Sequence, residues 1–239
     1  MRFEDTDDLK GAEFVNVDLS GASFRNVNLQ GARVMEAMLV NARFSGLIDG
    51  LVVNDVEVAP LIAAEMTRRY PERAKLLPTD AAGVREAWAV IEGLWAATKE
   101  RAAGLPEPVL RQRVEGEWSF LETLRHLVFV TDAWISGRVL GRTGHFHPLG
   151  MPPSFITDAE PFGIDPAADP GPAEVVAMRE ERMDVVRPLV RDLGDDDLNR
   201  QCGDHTLLGC LWTLFDEEWH HNWFANRDLD TLEGPAPGR

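Results

Sequence analysis

The chain has 239 residues, 44% of them hydrophobic, enough to bury a sizeable core, and its formal net charge of −16 argues against a phosphate-neutralising nucleic-acid surface. No window approaches the roughly 18 consecutive apolar residues that a membrane helix needs. Two cysteines, Cys202 and Cys210, are too few for a disulfide scaffold, and the acidic N-terminus lacks the apolar run of a secretory signal, so the expected setting is cytoplasmic with reduced thiols.

Near its start the chain repeats every five residues: DLKGA, EFVNV, DLSGA, SFRNV, NLQGA, RVMEA, MLVNA, RFSGL. Leu9, Phe14, Leu19, Phe24, Leu29, Val34, Leu39 and Phe44 occupy one phase, and small residues from Ala12 to Ala42 occupy another. That period fits neither helix nor ordinary strand. It fits a square coil with one large and one small side chain per face turned inward, and it resembles the pentapeptide-repeat family, a right-handed quadrilateral β-helix. Eight units at four per coil make about two coils, short for a free-standing solenoid.

Residues 47–80 read as a linker, containing LIDGLVVNDVEVAPL and PERAKLLPTD. Helical patterns follow. The first covers about 81–103, with Val84, Trp88, Ile91, Leu94 and Trp95 as its apolar stripe. The second covers about 119–141 and opens on Ser119-Phe120-Leu121-Glu122, a capping-box pattern that gives Glu122 a structural task. A Pro- and Gly-rich loop spans 144–171. The third helix, about 172–193, starts at Pro172 and carries Pro188, expected to kink or end it. The fourth, about 206–228, contains 216-DEEWHHNWFANRDL-229. Four amphipathic helices with one long crossover loop read as a four-helix bundle, giving 1–46 for the repeats, 47–80 for the linker and 81–239 for the bundle.

At about 100° per residue, Cys210, Leu214, His221 and Phe224 fall within roughly 60° of Glu217. The pair Glu217 and His221 therefore interrupts an apolar seam, while Glu218 and His220 are read as marginal. An inward carboxylate is costly unless it is paired or coordinates a cation, and two polar residues one turn apart are how bundles present metal ligands. A third ligand is required. On the second helix His126 shares a face of small residues with Ser119, Ala133 and Gly137.

The run 118-WSFLETLRHL-127, continued by Asp132 and Trp134, resembles the second-helix signature of the DinB-like (YfiT-like) superfamily. The resemblance implies a mainly α DinB-like four-helix bundle behind the short β-helix. It also implies a metal site of one His on the second helix and an H-x-x-x-H pair on the fourth. Carried over residue by residue, the ligands are His126, Glu217 and His221, with Glu217 standing where the family usually has histidine. Such a site takes a divalent ion of the zinc, nickel or iron type. Characterised members are thiol S-transferases and isomerases that use low-molecular-weight thiols such as mycothiol or bacillithiol.

His147, from the loop motif 144-GHFHPLG-150, is assigned to a lid or to the ligands' surroundings. His220 and Trp134 are assigned to the site's rim or pocket. Cys202 and Cys210 fit no zinc spacing. The leading reading is a metal-dependent thiol S-transferase or isomerase acting on a small molecule. The alternative is a non-catalytic interaction module. Some pentapeptide-repeat proteins mimic DNA to bind topoisomerases, but residues 1–45 hold only 7 acidic against 5 basic residues, whereas 158–239 hold 19 against 7. A milder form has the repeats support a homodimer.

Overall fold

The computed structural model describes residues 2–3, 9–156, 158–165 and 167–234, so the acidic run 4–8 lies outside the described residues. Two compact units divide at Ala42 and Arg43.

The first unit is the short right-handed quadrilateral β-helix. Its corners alternate in kind. At one set, Ala12, Ala22, Ala32 and Ala42 donate N–H bonds of 2.9–3.2 Å to the carbonyls of Leu9, Leu19, Leu29 and Leu39. The third turn residue is left-handed each time: Gly11, Gly21 and Gly31 at φ +73° and Asn41 at +61°. The intervening corners place Asn16, Asn26 and Glu36 at φ +51° to +55°. With two coils, each inward side chain is covered on one side only, and Leu9 through Phe44 remain exposed.

The second unit opens with a hairpin, β1 (Val52–Val53) and β2 (Val56–Glu57), turned by Asn54 and Asp55, both at positive φ. Helix α1 (Ala59–Arg69) follows, within the stretch expected to be linker. It has no fully buried residue, and Met66 packs partly buried against the core. Four long helices then build the bundle. Helix α2 (Ala81–Ala103) is capped by Asp80, whose carboxylate accepts from the Gly83 N–H at 2.7 Å. A single turn, α3 (Glu107–Leu110), precedes α4 (Phe120–Thr131), where the capping box forms in full: Ser119 Oγ accepts from the Glu122 N–H and Glu122 from the Ser119 N–H.

The second helix is not α-helical throughout. From Asp132 to Val139 it widens into a π-helix, a change that apolar periodicity does not report. Helix α5 (Pro172–Asp192) runs through Pro188 instead of ending there. The carbonyl that Pro188 leaves without a donor belongs to Asp184, which is exposed and solvated. After the small hairpin β3 (Gln201–Cys202) and β4 (His205–Thr206), α6 (Leu207–Glu233) continues five residues past the expected end. Helices α4 and α2 each pack against both α5 and α6. The core gathers Val84, Ile91, Leu124, Leu127, Val186, Leu211, Leu214 and Phe215, none with exposed surface.

The structure corrects one facing. Glu218, read as marginal, is 0% exposed, and Glu217 is the rim residue. The buried face of α6 contains Leu207, Leu211, Leu214, Phe215, Glu218, Asn222 and Leu229, centred about 100° from Glu217. Anchoring the wheel on Cys210 and Phe224 had turned it by one residue. Glu218 pairs with the equally buried Arg179 of α5. Burial pushes its carboxyl pKa up, with Arg179 opposing. Glu218 Oε2 and Arg179 Nε and Nη1 have no further partner among the described residues.

A buried pair is weak evidence of net stability, but a widowed buried charge is costly. Arg179→Ala should therefore destabilise the fold by about 3–5 kcal/mol, and the apolar double variant Arg179→Met/Glu218→Leu should recover most of that loss. Urea unfolding measures both, and additive losses in the double variant would contradict this account.

Candidate metal centre

Three side chains from two helices converge at one edge of the bundle. His126 projects from α4, and Glu217 and His221 project one turn apart from α6. One ligand atom from each lies within 4.8 Å of the others. Glu217 Oε2 is 3.1 Å from His221 Nε2 and 3.7 Å from His126 Nε2. These spacings bracket the ~3.3 Å edges of a tetrahedron with metal bonds of about 2.0–2.1 Å.

Protonation states follow from the partners. His126 Nδ1 lies 3.0 Å from the carbonyl oxygen of Met151, which can only accept, so Nδ1 carries the hydrogen. With Nδ1 committed to the loop, Nε2 is the atom that His126 presents to the Glu217 carboxylate. Burial raises the Glu217 pKa, but the side-chain bonds to His126 and His221 outweigh it and hold the group well below the carboxylate range. Burial lowers the His221 pKa, partly offset by Glu217, and so favours the neutral ring that a metal requires. The donor set fits a divalent ion.

A family model described as the DinB superfamily matches residues 91–225. The chain belongs to the DinB superfamily. Eight pentapeptide repeats match residues 8–46. No curated protein and no solved structure matches. No helix among the described residues of this DinB protein is long and apolar enough to cross a membrane.

The centre has a ceiling. The Trp118 ring lies 4.4 Å from that of His126 and stacks on His221 at 5.8 Å. An ion pair fixes its approach: Arg227 Nη2 donates to Glu117 at 2.6 Å while its Nε donates to Asp228 at 2.7 Å. The W-S…H spacing that carries the family resemblance already joins Trp118 to His126; what it does not convey is that the chain bends before the cap and lays the indole over the imidazoles. The Met151 carbonyl gave no sequence signal at all, because a main-chain acceptor is the same in every residue.

The remaining assigned residues lie elsewhere. His147 belongs to the loop: its N–H donates to Asp132 Oδ2 at 2.9 Å, and its Nδ1 accepts from the Leu149 N–H. Burial lowers its pKa. His220 Nδ1 bonds the Asp216 carbonyl, and its ring packs on Trp219 and Phe224. Trp134 packs on His205 and Arg138.

Neutral His221 has a stability consequence. Its folded pKa is depressed, so the unfolded chain takes up a proton near pH 6.5 while the fold does not. Metal-free protein should therefore lose stability as pH falls from about 6.5, and His221→Gln should flatten that slope. Urea midpoints at pH 7.5 and 5.5 on chelator-treated samples test this; equal slopes would exclude it.

Proposed function

We propose that this DinB protein is a divalent-metal enzyme that transfers or isomerises at the sulfur of a low-molecular-weight thiol such as mycothiol, with His126, Glu217 and His221 holding the ion. The observation that carries the reading is the convergence of one donor atom each from His126, Glu217 and His221 within 4.8 Å, with His126 oriented by the Met151 carbonyl. Two imidazoles and one carboxylate suit zinc, nickel or ferrous iron. Three protein donors leave coordination positions free, as catalytic sites do. When bound, the ion supplies positive charge that lowers a thiol's pKa and favours the thiolate.

The chain's own residues do the rest. The Met151 carbonyl fixes the His126 tautomer, Trp118 shields both imidazoles from one side, and Glu217, 37% exposed at its side chain, marks the open edge where a small molecule enters. The expected partner is a small molecule, since a net charge of −16 argues against a nucleic-acid partner.

Purified protein should carry close to one divalent ion per chain by elemental analysis, and His126→Ala and His221→Ala should lose it. Metal release should accompany acidification as the ligands protonate. Thiol consumption against electrophile panels should depend on the same residues. A folded wild type that takes up no metal would end this reading.

A second reading rests on the repeat unit, where Met35, Met38 and Val40 point outward, Met38 with 92% of its surface exposed. Apolar side chains so displayed suit contact with a second copy. Light scattering should show a homodimer that Met38→Glu/Val40→Glu dissociates; a monomeric wild type would remove this reading.

A further inference from the structure

A second polar cavity lies away from the triad. It encloses about 500 Å³ where the π-helix ends and the chain turns back, and its wall includes Asp132, Ser136, Arg142, Thr143, His145 and Arg182. None of these is a ligand of the candidate metal centre. Three features give the wall its chemistry.

The acceptors on the wall are spent. Asp132, 1% exposed, takes both arms of Arg182 at 2.9 and 3.1 Å, the His147 N–H at 2.9 Å, and the Ser136 hydroxyl at 3.5 Å. Donors, by contrast, remain unspent. Among the described residues of the second unit, Arg142 alone of the Arg and Lys side chains has no carboxylate, carbonyl or ring partner. The Thr143 hydroxyl has none either. His145 lines the wall, but its Nδ1 is buried and out of reach of the cavity, with no partner among the described residues. The backbone is also shaped around this ring: a Cβ at position 137 would stand 2.6 Å from His145 Nε2, so Gly137 is what lets the imidazole seat against the helix.

Charge points the same way. In a chain with 40 acidic and 24 basic residues, this wall carries two arginines against one aspartate. Glu181, which touches Arg182 Nη1 at 3.4 Å, is exposed and does not line the cavity. The volume suits a small metabolite.

We propose that this cavity binds a small molecule through a carboxylate or phosphate head, with Arg142 and Thr143 as its donors, His145 in its wall and the Asp132–Arg182 pair as its fixed floor. The same loop joins the cavity to the metal centre, since His147 bonds Asp132 and Met151 bonds His126.

The test is calorimetric titration of the full, chelator-treated chain with succinate and with inorganic phosphate, each at ionic strength fixed with chloride. Removing metal keeps the triad from binding either anion. One saturable site is expected, weakened about tenfold or more by Arg142→Glu, with the ligand-free melting midpoint unchanged because Arg142 has no partner to lose. Arg142→Lys should retain most of the binding. Preference for phosphate identifies a phosphoryl head, and preference for succinate a carboxyl head. No saturable binding of either anion, or equal binding by Arg142→Glu, would overturn the proposal.

Discussion

The bundle depends on keeping two opposite charges together in a place without water. Glu218 and Arg179 have essentially no exposed surface, and neither can be turned outward without opening the core in which α5 and α6 meet through this pair. Such a pair gains little over apolar residues, but it tolerates no misalignment, because sliding one helix against the other leaves two bare ions in the core. The pair thereby fixes the rotation of α6. With Glu218 held inward, Glu217 stands about 100° round, at the edge facing α4, and Asp216 another 100° on, in solvent beside His220. Three consecutive acids serve three different surroundings.

Part of this was readable from residues alone. The five-residue phase of Leu9 to Phe44 has no reading other than a square coil, and the left-handed Gly11, Gly21 and Gly31 are what its tight corners demand. The capping box at Ser119 declared the start of α4 to the residue. Glu217 and His221 stood out because a one-turn polar pair on an apolar helix is costly. Glu218 escaped because a wheel ranks residues by hydrophobic neighbours, and a buried carboxylate is legible only once its partner on another helix is known. The π-helical stretch and α1 escaped for different reasons: the first changes hydrogen bonding without changing composition, and the second is a short helix with no fully buried residue.

The metal centre and the second cavity are both finished by the loop after the π-helix. Polar side chains on α4 and at its end reach into that loop. Arg125 donates to the carbonyls of Leu149 and Ala168, His126 to that of Met151, and Asp132 accepts from the His147 amide. Arg125 and Asp132 are buried with His126, so the loop's path is held by groups that have no alternative partner in water.

Every one of those bonds lands on main chain. A carbonyl or an amide is supplied equally well by almost any amino acid, so the loop is gripped by its path and not by its letters. Side chains along 144–171 can therefore drift between relatives while His126 keeps its orientation. Freedom in the loop's side chains and constancy in the orientation of His126 are thus assigned to different parts of the same segment, one to side chains and the other to backbone.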